Sequence, residues 1–175
     1  MPPDEEQEKT YRENMTDIRE FLCKAALLAA LLFVVFGVVF GLAILPDDTM
    51  KPRLQPGDLL FYYRLPRAYT AGEVVVFTAE GKQYVGRVAA RGGDTVEVTD
   101  AATLIINGST VAEPDIYETT PKYDSAVTYP LTLADGEYFI LCDAREGARD
   151  SRWFGAVPAA AIRGRVIAVV RRGTV

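Results

Sequence analysis

The segment Leu45-Pro46-Asp47-Asp48-Thr49-Met50-Lys51-Pro52-Arg53-Leu54 lies at the boundary between two kinds of sequence. An uninterrupted apolar run precedes it. Short runs rich in Val, Ile, Tyr and Phe follow it, separated by turns that contain Gly, Asp and Pro, and this pattern is typical of antiparallel strands. The segment therefore joins a predicted apolar helix to a predicted β domain.

The apolar run covers residues 25–45. Roughly 21 residues in a helix that rises about 1.5 Å per residue match a hydrocarbon core about 30 Å thick, so the run predicts a transmembrane helix. A cleaved signal peptide is the alternative, but the run is longer than the apolar region of a typical signal peptide. We predict a polar tail over residues 1–20, the helix over residues 21–45 and a β domain over residues 46–175.

Basic residues flank the N-terminal end of the apolar run. Basic residues near a membrane helix stay on the cytoplasmic side, whereas a long domain crosses the membrane regardless of its charge. We therefore predict a single-pass protein of the cell membrane, with its N-terminus in the cytoplasm and its β domain outside. The residues that carry this prediction are Lys9, Arg12, Arg19 and Lys24.

The composition argues against several functional classes. The net charge of −5 argues against nucleic-acid binding, and the absence of histidine removes the commonest general base and metal ligand. The sequence predicts neither a metal site nor a cofactor. Cys23 and Cys142 fall on opposite sides of the predicted membrane helix, so we expect no disulfide between them. Cys142 is interpreted as a small, half-buried apolar residue rather than a reactive thiol.

The chain after residue 58 predicts an all-β domain. The Asn107-Gly108 pair is typical of a tight hairpin turn, and residues 117–130, rich in polar residues, Tyr and Thr, predict a long loop. The predicted strands cover residues 59–64, 73–78, 82–90, 95–98, 104–106, 110–111, 137–142 and 164–170.

Four blocks of the chain, residues 45–58, 72–77, 84–98 and 136–155, are similar to blocks of one peptidase family. The last block contains Cys142-Asp143-Ala144-Arg145 and then Asp150-Ser151-Arg152-Trp153-Phe154-Gly155, a spacing that chance rarely supplies. The chain resembles type I signal peptidases, the serine/lysine peptidases of the S26 family. The resemblance implies two antiparallel sheets, preceded by one transmembrane helix, with a peptide-binding cleft close to the membrane.

The resemblance also assigns the catalytic positions, and four of them are altered. Enzymes of the family use a serine nucleophile, which is deprotonated by a lysine whose pKa burial has lowered. Thr49 stands at the serine position, and Gly86, which cannot accept a proton, stands at the lysine position. The oxyanion-hole hydroxyl falls on Asp47, whose carboxylate would repel the developing oxyanion. The serine that holds the lysine falls on Ala148.

Other residues are poorly placed to activate Thr49. Lys82 lies on the same predicted strand as the lysine position but about 13 Å from it, at 3.3 Å per residue. Lys51 would point from the adjacent turn toward solvent or lipid headgroups. An exposed carboxylate such as that of Asp47 or Asp48 is a weak base for a hydroxyl group.

The positions that brace the site match the family. Arg87 and Asp143 match one structural pair of an arginine and an acid, and Asp150 and Arg152 match a second. We therefore expect two ion pairs beside the altered catalytic positions.

The resemblance further implies a pocket for the alanine of an Ala-x-Ala site. An extended peptide would add as a strand beside residues 83–85, a segment that begins with Gln83, because main-chain hydrogen bonds supply the affinity. The residues that would line the alanine pocket are Leu45, Pro46, Met50, Leu54, Tyr84 and Val85, with Ala43 and Leu60 near the next pocket.

We interpret the chain as a membrane-anchored, signal-peptidase-like protein that keeps the cleft but not the reaction. Family members that lack the dyad occur beside pilus systems of Gram-positive bacteria, so the resemblance suggests a role in pilus or secreted-protein assembly. The expected partners are secreted preproteins or pilin subunits, with a sortase as a further candidate. Two alternatives stay open: an active signal peptidase that uses Thr49 as its nucleophile, and a regulator that binds signal peptides to control an active paralogue.

Overall fold

The computed structural model of the chain describes residues 5–66, 68–114 and 116–171. Its first element is helix α1 (Glu5–Phe33), which continues into a π-helical segment, Val34–Val39. The run Thr10–Val39 is long and apolar enough to cross a membrane, a criterion that a signal sequence near an N-terminus would also meet. The predicted tail is therefore helical from Glu5 onward.

Strands build the remainder of the described chain. In order they are β1 (Phe40–Ile44), β2 (Leu59–Tyr63), β3 (Val74–Ala79), β4 (Lys82–Arg91), β5 (Thr95–Val98), β6 (Leu104–Ile106), β7 (Ser109–Thr110), β8 (Leu131–Thr132), β9 (Glu137–Leu141), β10 (Val157–Pro158) and β11 (Ile162–Val170). The larger sheet has the order β1-β2-β11-β3-β4-β9-β10, and the smaller one has the order β7-β6-β5-β8. The strand pairs are antiparallel. The predicted all-β class with two antiparallel sheets is confirmed.

The end of the apolar run differs from the prediction. The helix was predicted to reach Leu45, but helical structure ends at Val39 and the chain continues as β1, which pairs with β2. The reason is packing: Gly41 and Ala43 are buried on one face of β1, and a β-carbon on Gly41 would overlap the ring of Tyr62. Chain contacts divide the protein between Val39 and Phe40, whereas the predicted boundary lay after Leu45.

The predicted strands after residue 58 all form, with end points that shift by up to a few residues. The strands β8 and β10 were not predicted, because each is only two residues long and so short a strand has no detectable alternation. Helix α2 (Ser151–Phe154) and the short 3-10 turn Ala159–Ala161 were missed for the same reason. The long loop predicted over residues 117–130 has no regular structure.

Three buried clusters stabilise the β domain, and one of them supports the candidate site. This first cluster joins side chains from β1, β2, β3 and β4 with side chains from the loop that contains Thr49 and from the segment after β9. It places the apolar residues of the opening segment behind the chain that carries Thr49. Its members are Ala43, Leu45, Met50, Leu54, Leu60, Tyr62, Val76, Val85, Cys142 and Ala148.

Candidate functional site

Thr49 lies in the turn between β1 and β2, and its hydroxyl group is engaged by Asp47. The Thr49 Oγ1 donates to Asp47 Oδ1 at 2.6 Å, and the Thr49 backbone amide donates to the same oxygen at 3.2 Å. The Thr49 carbonyl oxygen accepts a hydrogen bond from the amide of Ala144 at 2.9 Å. The nucleophile position is therefore held on both sides, with its proton directed at a carboxylate.

Asp48, the neighbour of Thr49, is neutralised locally. Its Oδ2 lies 3.2 Å from Nζ of Lys51, and the hydrogen bond and charge of Lys51 hold the pKa of Asp48 below its usual value. Lys51 is thus bound to Asp48, and its side chain is half exposed. Lys82 lies at the exposed outer end of β4, opposite Ala79. Lys82 therefore lies four residues along β4 from Gly86, and Lys51 is engaged by Asp48.

Gly86, the residue predicted to stand at the family's lysine position, lies in the middle of β4 opposite Val75. A β-carbon there would stand 2.6 Å from Cγ2 of Ile140 and 3.2 Å from the carbonyl oxygen of Leu141. These distances are shorter than an ordinary contact between carbon atoms. The space that the side chain of a lysine at residue 86 would occupy next to the backbone is filled by atoms of the neighbouring strand β9.

Cys142 and Ala148 pack beside the back of the Thr49 turn. Both are almost fully buried in the first cluster, and the Cys142 thiol donates to the carbonyl oxygen of Val85 at 3.6 Å. The pKa of this thiol is raised to about 12, chiefly by burial and then by the charge of Asp150, while a hydrogen bond with the side chain of Thr49 opposes the rise. Sequence reasoning treated Cys142 as inert and half-buried, but gave no signal that it would pack against the site.

The first expected ion pair is present beside the site. Arg87 donates from Nε to Asp143 Oδ1 at 2.8 Å and from Nη2 to Oδ2 at 2.5 Å, and its Nη1 donates to the carbonyl oxygen of Gly72 at 2.8 Å. This two-point contact fixes the start of the loop after β9 against β4.

The second expected pair, Asp150 with Arg152, is fully buried. Asp150 accepts two hydrogen bonds from the guanidinium at 2.9 and 2.7 Å, caps α2, and accepts the backbone amide of Cys142 at 3.1 Å. Burial lowers the pKa of Arg152, but the hydrogen bonds and charge of Asp150 outweigh it and the net shift is upward. Arg152 therefore stays charged at neutral pH.

A third buried cation, Arg145, was not predicted. It donates to Glu113 at 2.6 Å and to the Thr120 hydroxyl at 2.9 Å, while its own carbonyl oxygen accepts from Arg152 at 2.7 Å. These contacts fasten the long loop to the segment that carries Ala148. Arg145 belongs to the last family block, but the sequence did not indicate its partners, because they lie far away along the chain.

An apolar groove of about 610 Å³ lies in front of the first cluster. Of the predicted pocket residues, Pro46, Gln83 and Val85 line it, together with Ala43. Its full lining is Leu42, Ala43, Ile44, Pro46, Leu59, Gln83 and Val85. Charged side chains are absent from this lining, which consists of described residues only.

The other predicted pocket residues lie elsewhere. Leu45, Met50, Leu54 and Leu60 are buried in the first cluster behind the groove. Tyr84 faces the opposite side of β4, where its ring lies 5.7 Å from that of Phe77 and 5.0 Å from that of Phe154. The alternation of side chains along a strand explains the difference, because residues 83 and 85 share one face and residue 84 takes the other.

Two strand edges border the groove. Within the described residues β1 pairs with β2 alone, so its second edge is unpaired. Strand β4 pairs with β9 only from Arg87 onward, so residues 82–84 present a second edge without a strand partner, while the Val85 carbonyl oxygen accepts the Cys142 thiol. An extended chain in the groove could therefore form main-chain hydrogen bonds on both of its sides.

Groups of three or more His, Cys, Asp or Glu side chains arranged to hold a metal ion were not found in the part of the chain that the structure describes.

Comparisons with known proteins agree on one family. Residues 18–171 match the family model described as "Signal peptidase, peptidase S26". Signal peptidase I of Bacillus licheniformis is 30% identical over 141 residues, which are 74% of this chain and 75% of that protein. Signal peptidase IB of Staphylococcus aureus (strain COL) is 29% identical over 169 residues, 86% of this chain and 87% of that protein. A crystal structure of a signal peptidase I from Enterococcus faecalis V583 covers 57% of this chain and 97% of its own, with 28% identity and a TM-score of 0.49.

Proposed function

Because the chain belongs to the signal peptidase family, peptidase S26, we propose that it binds extended peptides of secreted proteins at the groove without cutting them. One observation carries the proposal: the groove lies between two unpaired strand edges, whereas the place of the general base is a glycine packed against Ile140. In this proposal affinity and chemistry depend on different atoms, and both features support binding without cleavage.

Strand addition explains how the groove would hold its ligand. The curved path β1-β2-β11-β3-β4 returns to the groove, so a bound peptide would fill the gap between β1 and β4. Main-chain hydrogen bonds would supply affinity, and the apolar lining would select uncharged side chains. Gln83, the polar side chain of the lining, would bind a peptide amide or hydroxyl group.

The altered catalytic residues support the absence of cleavage. The carboxylate of Asp47 accepts a hydrogen bond from the Thr49 hydroxyl group at 2.6 Å. Because this carboxylate is exposed, it is a weak base for a hydroxyl group. It also stands where the family places an oxyanion donor. Loss of a catalytic dyad in hydrolases of this kind lowers turnover by about 10⁶.

An active peptidase is the second candidate function. The contact between Thr49 and Asp47 favours it, because a nucleophile and its base must lie within about 2.6–3.2 Å of each other. In that mechanism Asp47 would accept the Thr49 proton as the oxygen attacks the peptide carbonyl. A third candidate, a regulator that binds signal peptides, would use the same groove.

The cellular setting follows the same proposal. The helical run Thr10–Val39 would anchor the protein in the cell membrane, with the N-terminus in the cytoplasm and the β domain outside. The ligands would be secreted preproteins or pilin subunits, and a sortase would be a further partner in pilus assembly. The resemblance to dyad-lacking family members supports the pilus role.

Peptide binding tests the proposal directly. The full-length protein in lipid nanodiscs should bind an apolar, small-residue peptide with micromolar affinity, because the interface is one strand long. Ile44→Glu, at an exposed side chain of the groove, should weaken binding at least about tenfold, since a charge would then face the apolar peptide. Leu65→Glu, at an exposed leucine outside the groove lining, is the matched control. Equal weakening by both variants, or binding unaffected by Ile44→Glu, would refute the site.

Cleavage separates the two main candidates. The same nanodiscs should leave a preprotein with an Ala-x-Ala site intact, at the background rate of buffer. Turnover that disappears on Thr49→Ala would replace the proposal with the active peptidase.

A further inference from the structure

Asp47 carries the uncompensated charge of the Thr49 turn. Its side chain is exposed, and among the described residues its hydrogen bonds come from Thr49 alone, which is neutral. The adjacent Asp48 is paired with Lys51 at 3.2 Å, so those two charges cancel. The turn therefore presents one net negative charge.

The charged side chains of two arginine–aspartate pairs behind the turn also compensate each other. Arg87 binds Asp143 through two contacts, and Arg152 binds Asp150 in the same way. Each pair joins one cation to one anion, whereas the carboxylate of Asp47 is bonded to the neutral hydroxyl group of Thr49.

Asp47 lies at the end of the apolar groove. Pro46 lines the groove, Asp47 is the next residue, and the Asp47 carboxylate is 2.6 Å from the Thr49 oxygen. A ligand that follows the groove as far as Thr49 must therefore pass or end beside this carboxylate. The groove itself holds no charged side chain that could compensate.

The charge distinguishes two kinds of peptide. A chain that continues past Thr49 presents a neutral amide to Asp47, whereas a chain that has been cut there ends in a carboxylate. Two carboxylates at a separation of a few ångströms repel each other even in water.

We propose that Asp47 is a specificity-determining residue, which makes the site hold uncut chains and reject peptides that end in a free carboxylate at Thr49. The inference rests on the proposed function, because it takes the groove as the peptide site and places the Ala-x-Ala residues of the ligand in it, with the end of that segment beside Thr49. It adds a selection rule: the protein releases or ignores cleaved signal peptides and retains unprocessed segments.

Two synthetic probes test the rule on the full-length protein in neutral phosphatidylcholine nanodiscs. Both have the same apolar sequence ending in Ala-Gln-Ala and a fluorophore at the N-terminus, and they differ only in a terminal carboxylate or carboxamide. The amide should bind about five- to tenfold more tightly at low salt. The ratio should approach one at about 1 M salt, because exposed charges are then screened within about 3 Å.

Asp47→Asn is the informative variant, since the amide oxygen of Asn can still accept the Thr49 hydroxyl. It should bring the affinity ratio of the two probes close to one while the amide probe keeps its affinity, which also shows that the variant is folded. Asp100→Asn is the control, because it removes one charge from a side chain that is 93% exposed and lies outside the groove lining. It should leave the affinity ratio of the two probes unchanged.

The outcomes separate this inference from the proposed function. Equal affinities of the two probes for the unaltered protein would overturn the inference alone, and so would a preference that persists in Asp47→Asn. Failure of both probes to bind would overturn the proposed function and the inference with it.

Discussion

The Cγ2 methyl group of Ile140 lies 2.6 Å from the point where a β-carbon on Gly86 would stand. Carbon atoms in ordinary contact are about 3.5–4.0 Å apart, so a side chain at residue 86 requires Ile140 to move. The altered catalytic position and the packing of β9 are therefore coupled. A base cannot be restored at Gly86 by one substitution without disturbing the core.

Gly86→Ala should destabilise the protein. Overpacking a well-packed core lowers the free energy of unfolding by about 1–3 kcal/mol, and the nearest contacts here include the backbone oxygen of Leu141. Urea unfolding followed by the fluorescence of Trp153, the only tryptophan, measures the change. Combining Gly86→Ala with Ile140→Ala should lower stability by less than the sum of the two single changes. Strict additivity would show that the two residues do not compete for space.

Restoring the family dyad alone should not restore cleavage. In Thr49→Ser with Gly86→Lys, the new lysine would lie near Asp47, and a carboxylate within about 4–6 Å raises the pKa of a group that must be neutral to act as a base. Adding Asp47→Ser and Ala148→Ser should raise the cleavage rate far more, since loss of one oxyanion contact alone lowers rates by about 10² to 10³. Ile140→Ala in the same background should raise it again by making room for the lysine.

Single-turnover cleavage of one preprotein compares these variants under identical conditions. Equal rates for the variant with two changes and the variant with four would show that only the dyad was lost. The roles assigned to Asp47 and Ala148 would then be wrong.

The two arginine ion pairs at Asp150 and Glu80 should differ strongly in their effect on stability. Asp150→Asn leaves the fully buried guanidinium of Arg152 without its anion and replaces one of the two accepting oxygens of Asp150 with an amide group, so the free energy of unfolding should fall by about 3–5 kcal/mol. Glu80→Gln breaks an exposed pair with Arg149 and should change it by about 0–1 kcal/mol. Similar losses for both variants would contradict the burial of the first pair.

Stability should fall as the pH rises above about 9. The Cys142 thiol titrates near 9.0 in the unfolded chain and at about 12 in the folded protein, so between these values the folded state binds more protons and each rise in pH favours unfolding. For each pH unit above 9, the free energy of unfolding should fall by about 1 kcal/mol. Cys142→Ala should reduce this slope in urea unfolding experiments, whereas Cys23→Ser, at the exposed second cysteine, should leave it unchanged. A slope unaffected by Cys142→Ala would argue against the buried thiol.

The amino-acid sequence by itself determined the fold class, most strands and the family. Strand patterns such as that of residues 73–78 are local, because alternation and turn residues lie within a few positions of each other. The pairing of Arg87 with Asp143 and of Asp150 with Arg152 also followed from the sequence, through the family blocks that contain them.

The tertiary structure alone decided that residues 40–44 form an edge strand, that Tyr84 faces away from the groove, and that Arg145 binds Glu113. An apolar run has the same composition in a membrane helix and in a buried strand, so only the hydrogen bonds of β1 to β2 distinguish them. The packing of Cys142 against Val85 joins residues 57 positions apart. Contacts of this kind depend on how the sheet closes on itself, and a local sequence pattern contains no information about that.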